Sequence, residues 1–276
     1  MDRMGWARHA RQLLLALTGL TLLTASPSHA RPEFPLVTPH DEASCARPSL
    51  WVVSDADTTI YLFGTIHTHD GRAHWFDHAV RRAFDASSTL VLETLIPAEP
   101  PKADTAPQGS GLSLAKATVQ SARQAGLSVR LGADMVLARA ADAEGKPIIG
   151  LESFDEQLRM YQSLPPRARP ATAAAAVAPA ARPEQALAPY LRTMLDGWNR
   201  GDSSPIEAVV GAVRAQSPQA YRRLFADRNT AWAKWIARRL DQPGTVFVAV
   251  GTGHLVGSDS VQAKLAAVGI RSGRIN

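Results

Sequence analysis

Four short apolar runs in this 276-residue chain end on an imidazole or a carboxylate, and this pattern restricts the fold more than any other feature. Tyr61-Leu62-Phe63 leads into Gly64-Thr65-Ile66-His67, Leu90-Val91-Leu92 into Glu93, and Ile148-Ile149-Gly150-Leu151 into Glu152. The most β-rich run, residues 246–250, leads into Gly251-Thr252-Gly253-His254. Short apolar runs rich in β-branched residues and bounded by turn formers read as buried strands. Between them, apolar residues recur at helical spacing over residues 76–87, 112–125, 134–144, 187–198 and 218–240. Another helix starts at Phe154, behind the capping-box pair Ser153 and Glu156. Strands alternating with helices predict an α/β fold with a mostly parallel sheet flanked by helices. Two strand-like runs, Leu50–Ser54 and Thr58–Thr65, flank the turn residues Asp55-Ala56-Asp57 and predict a hairpin, which makes the sheet mixed. A helix over residues 261–268 and an edge strand from Ile270 are expected to follow the last long strand.

In open α/β sheets the carboxyl ends of the strands form the ligand crevice. His67, Glu93, Glu152 and His254 are therefore expected to converge from distant parts of the chain. Imidazole and carboxylate together are the usual ligands of a zinc- or manganese-like ion. The same set also works without metal, as a His general base oriented by a carboxylate. Each residue has a structural reading too: a hydrogen-bonded strand-end His, a salt-bridged Glu93, or Glu152 as the carboxylate favoured at a helix start. His69 is a further candidate, two residues beyond His67 on an extended chain. His74 and His78 have the i,i+4 spacing of a helical metal pair, but no Glu follows His74 in the zincin manner. Gly251-Thr252-Gly253 fails as a dinucleotide loop, because the third glycine, Gly257, comes one place too late. On the 218–240 helix, Tyr221, Leu224, Phe225, Trp232 and Trp235 lie three, four or seven residues from Arg228. Arg228 is thus on the apolar face, where a guanidinium needs an anionic partner, either a structural ion pair or a substrate carboxylate.

The ends of the chain carry separate signals. Arg3, Arg8 and Arg11, an apolar run over residues 13–23 too short to span a bilayer, and Ser28-His29-Ala30 form the three-part layout of a secretory leader. The expected organisation is a signal peptide over residues 1–30, a flexible segment over 31–47 and one domain over 48–276. The mature protein is then periplasmic or secreted, with no stable membrane span. Residues 165–189 shift to Ala, Pro and Arg and read as an irregular insertion. Cys45 is the single cysteine, which leaves no intramolecular disulfide and no Cys-based metal site. The net charge of +5 comes partly from the leader, and the remaining basic residues are scattered as a solvated face rather than a nucleic-acid patch.

Several motifs occur together in order. They are Ile60-Tyr61-Leu62-Phe63-Gly64-Thr65-Ile66-His67, Leu92-Glu93, Lys146-Pro147 through Gly150-Leu151-Glu152, and Glu156-Gln157. Trp198 with Gly201-Asp202, Arg228-Asn229, and the stretch from Val248 to Gly253-His254-Leu255 complete the set. In order and approximate spacing they resemble the TraB/GumN family, related to the animal TIKI proteins. The resemblance implies a fold akin to the erythromycin-esterase and ChaN-like group. It also implies a metal-dependent hydrolase of peptide or amide bonds, since TIKI proteins are described as metalloproteases using paired Gly-x-x-His motifs. By that pattern His67 and His254 are the site histidines and Glu93 the acidic member. Glu152 joins them as ligands of a zinc, manganese or cobalt ion, and Arg228 joins the catalytic set. The alternatives are a metal-free His/Glu esterase-type hydrolase and a haem- or iron-binding protein of the ChaN-like group. The partner expected is an unidentified peptide or small-molecule substrate, not a nucleic acid.

Overall fold

The strands assemble into one six-stranded sheet in the order β4-β3-β5-β2-β1-β6. These are β1 (Leu50–Ser54), β2 (Thr58–Thr65), β3 (Thr89–Thr94), β4 (Ile148–Glu152), β5 (Gly244–Gly251) and β6 (Gly273–Arg274). The computed structural model describes residues 46–95, 119–164 and 183–276. The expected leader, Cys45, the start of the 112–125 helix and residues 165–182 of the Ala/Pro-rich segment lie outside the described residues.

β2, β5, β3 and β4 run parallel, and β1 is antiparallel to both β2 and β6. The expected hairpin and mixed sheet are both present. β5 inserts between β2 and β3, and all of residues 246–250 are buried because helices cover both of its faces. The period of two along a strand sends Phe63, Phe247 and Leu90 to one side and Leu62, Val248 and Val91 to the other. On the first side they meet α1 (His78–Ala86), α2 (Ala133–Ala143) and α4 (Pro183–Asn199) around Phe84, Leu137 and Trp198. On the second they meet α6 (Asp227–Leu240) and α7 (Val261–Ala266) around Trp232, Ile236 and Leu265. The capping box is present at the start of α3 (Phe154–Gln162), with Ser153 and Glu156 bonded reciprocally.

The structure departs from the sequence reading in four places. Helix α4 already runs from Pro183 and holds Pro189 inside it, so residues 183–189 are helical rather than irregular. A helix not anticipated, α5 (Ser204–Gln216), follows; it buries only Ile206 and Val210, too narrow an apolar stripe to announce itself. The expected helix over 218–240 is interrupted: a turn at Pro218–Tyr221 passes into a π-turn, Arg222–Ala226, before α6 begins. Helix α1 starts at His78, so His74 lies outside it and the two are not one helix face. Among the described residues, no helix is long and apolar enough to cross a membrane.

Candidate functional site

The strand order places the predicted residues side by side. Across β4-β3-β5-β2 the carboxyl ends carry Glu152, Glu93, then Gly251 with His254, then His67. Glu93 is the penultimate residue of β3, and His254 sits in a 3-10 turn, Thr252–Leu255, that follows β5 directly. Thr252 Oγ1 donates to Thr65 O at 2.9 Å and ties the two Gly-x-x-His segments together. These ends floor a cleft of about 270 Å³ that includes His67, Glu93, Arg228 and His254 in its lining.

Arg228 is the centre of the polar floor. It is 9 % exposed, and it meets two carboxylates rather than solvent. Its Nε and Nη2 donate to the two oxygens of Glu152 at 3.0 and 2.6 Å, and Nη2 also donates to Glu93 Oε2 at 2.8 Å. Nη1 donates to His254 Nε2 at 3.0 Å and to Leu224 O at 3.2 Å. The guanidinium also lies over the Trp232 ring, 4.6 Å from its centroid. Burial lowers its affinity for the proton, but Glu93 and Glu152 more than offset this and hold it above its ordinary value. Arg228 thus makes the ion pair that is one of the two readings open for it. Glu152 is committed to it, with Gln157 Nε2 donating to Glu152 Oε1 at 2.9 Å.

The two histidines are held in opposite ways. Arg228 can only donate, so His254 Nε2 accepts, and its single ring proton sits on Nδ1 facing Asn229 Oδ1 at 2.6 Å. The ring is buried between Trp232 and Phe225, with centroids 4.4 and 5.2 Å away. Burial and the Arg228 charge outweigh the pull of Glu93, and His254 is lowered to about 3. His67, a third of its side chain exposed to the cleft, has Nδ1 2.8 Å from Asp134 Oδ2. Desolvation lowers its pKa, but the charge and hydrogen bond of Asp134, with the charge of Glu93, raise it to about 9. Glu93 is raised by desolvation and lowered further by Arg228, His254 and His67, ending at about 2, with Gly251 N donating to Oε1 at 2.7 Å. At neutral pH the floor therefore holds an imidazolium, a carboxylate and a neutral imidazole.

These groups converge on a bare glycine. A Cβ at Gly251 would sit 3.2 Å from Glu93 Oε1, 3.7 Å from His67 Nε2 and 3.8 Å from His254 Cδ2. The space is open only because this position has no side chain. Gly132 makes room in the same way behind the imidazole: a Cβ there would lie 2.3 Å from His67 O, and its absence lets the first turn of α2 bring Asp134 to the ring.

The donor set expected for a divalent ion does not fit this arrangement. The nearest atoms to the gap are Glu93 Oε1, His67 Nε2 and a carbon of His254, whose Nε2 accepts from Arg228. Glu152 is spent on Arg228 and Gln157. A fixed guanidinium thus stands where the remaining ligands would turn, whereas a zinc site takes three or four protein ligands. Among the described residues, no three His, Cys, Asp or Glu side chains are grouped to hold a metal ion.

The other histidine candidates lie elsewhere. His69 is 1 % exposed; its Nδ1 accepts from Gly71 N at 2.8 Å and its Nε2 lies 3.4 Å from Asn199 Oδ1, a loop tie. His74 and His78 do not reach the cleft lining. Three site residues escaped the sequence reading as functional positions. Asp134 looked like an ordinary first-turn acid. Asn229 carried a usable signal: like Arg228 it is polar on an apolar face, with Trp232, Ala233 and Ile236 three, four and seven residues on. Tyr161, half-buried in the cleft wall with its phenol pushed up by burial to about 12, gave no local sign.

The sequence model of the TraB/PrgY/gumN family matches residues 49–118 and 106–274. No curated protein and no solved structure matches the chain.

Proposed function

The chain belongs to the TraB/PrgY/gumN family, and from that premise we propose that it hydrolyses amide or ester bonds through His67 and Glu93, without a bound metal. The observation that carries this is the convergence of His67 Nε2 and Glu93 Oε1 on the open side of Gly251. A water seated there has a carboxylate on one side and an imidazolium on the other. As the water oxygen bonds to the substrate carbonyl carbon, Glu93 takes its proton. As the bond to the departing nitrogen or oxygen breaks, His67 gives that atom its Nε2 proton. Return of the proton from Glu93 to His67 restores the site. Glu93, at about 2, is a weak base, and His67, at about 9, is charged at neutral pH and suited to protonating a leaving amine. Asp134 orients the imidazolium, and Arg228 keeps Glu93 ionised and aimed.

The test is hydrolysis of a library of peptide amides and aryl esters, before and after exhaustive chelation, with elemental analysis of the same protein. Turnover that survives chelation and falls by roughly 100-fold or more in His67→Gln and in Glu93→Gln supports the reading. Turnover that vanishes on chelation and returns with zinc, manganese or cobalt replaces it with the metal-dependent one. A Soret band in purified protein with no hydrolysis replaces it with haem binding. The proposal includes export, supported by the basic start, the short apolar run and Ser28-x-Ala30. N-terminal sequencing of periplasmic or secreted protein should begin at Arg31, and an intact Met1 chain in the membrane fraction would overturn it.

A further inference from the structure

Above the polar floor the cleft changes character. Its described walls are mostly apolar, from Leu191 and Met194 of α4, Val209 and Val210 of α5, and Leu224 and Phe225 of the π-turn, and they also include Tyr161. The π-turn joins wall to floor. Asp227 N donates to Arg222 O, five residues back, so the chain gains one residue within a single turn. Leu224 and Phe225 then line the cleft while the Leu224 carbonyl accepts from Arg228 Nη1 at 3.2 Å. Gly253 completes the join from the other side. A Cβ there would lie 3.0 Å from Phe225 Cε1 and 3.4 Å from Val210 Cγ2, so both wall residues pack directly on the backbone beside His254.

We infer that this apolar chamber selects the substrate of the proposed reaction: a neutral, apolar acyl or side-chain group attached next to the reacting carbonyl. The inference rests on the hydrolytic reading for the reaction but on the walls for the specificity. Charge decides the class. An anionic group entering the chamber meets cations that are already engaged among the described lining residues: Arg228 is shared between Glu93 and Glu152, and His67 is paired with Asp134. A cationic group beside His67 and Arg228 would meet like charge, and Glu93 already carries hydrogen bonds from Gly251 and Arg228. Size points the same way: at about 270 Å³ the cleft is below the roughly 300–1,000 Å³ of drug-sized sites, room for one small apolar group and the bond it flanks.

The test separates binding from turnover by using the full mature chain carrying Glu93→Gln and three amides of similar length. Isovaleramide is neutral and apolar, succinamate is an anion and 4-aminobutyramide is a cation, each titrated by NMR line shifts. Saturable binding of isovaleramide, with both charged amides weaker by about tenfold or more, is expected from burial of one apolar group. Met194→Lys and Val209→Glu, both at half-buried wall positions, should each weaken isovaleramide by a similar factor while circular dichroism stays unchanged. Equal binding of all three amides, no saturable binding of any, or folded wall variants that bind like the parent would each overturn the chamber. If isovaleramide binds selectively and no amide or ester is hydrolysed by the wild type, the hydrolytic reading falls and the chamber stands. If hydrolysis occurs with no preference for apolar flanking groups, the chamber falls and the hydrolytic reading stands.

Discussion

His67 and His254 end two Gly-x-x-His segments on adjacent parallel strands, yet their surroundings push their pKa values in opposite directions. His67 opens on the cleft, is paired with Asp134 and is raised to about 9. His254 is closed in by Trp232, Phe225, Arg228 and Asn229 and is lowered to about 3. The difference shows that a repeated motif need not be a repeated role. In the proposed reaction one imidazole moves a proton, and the other is an acceptor that helps seat the guanidinium bonded to Glu93.

The strongest way to break this asymmetry is to remove the charge that enforces it. Arg228→Ala leaves Glu93 and Glu152 buried without their cation and His254 without its donor. A loss of roughly 3–5 kcal/mol in unfolding free energy is expected, together with all hydrolysis. Arg222 and Arg238, exposed on the same helical stretch, should each change stability by less than about 0.5 kcal/mol when replaced by Ala. Urea titrations of the three variants compare them directly, and equal midpoints would mean that the buried network is not there.

Next in size is the exchange of roles between the two rings. His67→Gln should lower hydrolysis by roughly 100-fold or more with a smaller loss of stability than His254→Gln, because its ring faces the cleft. His254→Gln should cost about 1–3 kcal/mol of stability, because Arg228 Nη1 and Asn229 Oδ1 lose well-placed partners in the interior. Variants that behave the other way round would reverse the assignment. Gly251→Ala sharpens the same contrast: its methyl would lie 3.2 Å from Glu93 Oε1, where the proposed reaction seats its water, so turnover should fall more than melting.

The pH dependence separates the rings without mutation. His254 is held below its ordinary value, so its contribution is fully present above about pH 6.5 and is lost as pH falls toward 3. Glu93 has the same sign: its contribution is present above about pH 4.5 and is lost as pH falls through 2. His67 has the opposite sign, with stability present below about pH 6.5 and lost as pH rises through 9. The acid limb should be the steeper, since His67 is screened by solvent in the cleft. Histidine proton shifts and denaturant midpoints from about pH 2 to 10 check both limbs, and a His254 resonance titrating near 6.5 would remove the distinction. The smallest effect concerns a positioning residue. Asp134→Asn keeps a hydrogen-bonding group beside His67 Nδ1 but removes the charge, so the fall of kcat/KM above pH 9 should move to lower pH with KM little changed.

How much of this was legible in the chain depends on the range over which each feature is decided. Strand and helix positions were legible because burial leaves a local trace: short apolar runs bounded by turn formers along β2 and β5, a capping box before α3, and apolar residues at helical spacing along α6. The convergence of Glu152, Glu93, His254 and His67 followed from one further step, that parallel strands present the same end to one crevice. Even the burial of Arg228 could be read from the apolar residues three, four and seven places away. The π-turn at Arg222–Ala226 could not, because an extra residue in one turn leaves the apolar spacing almost unchanged while shifting which side chains face the cleft.

The sequence by itself determined that two imidazoles and two carboxylates would meet at the carboxyl ends of the parallel strands of a mixed sheet, with a buried guanidinium near them. Only the tertiary structure decided what each of them is. The charge of an imidazole is set by the partners its two nitrogens meet, and those partners come from far along the chain. Asp134 reaches His67 across 67 residues, and Glu93, Glu152 and His254 all meet Arg228. Spacing fixes where a ring nitrogen starts, but only packing supplies the donor or carboxylate opposite it.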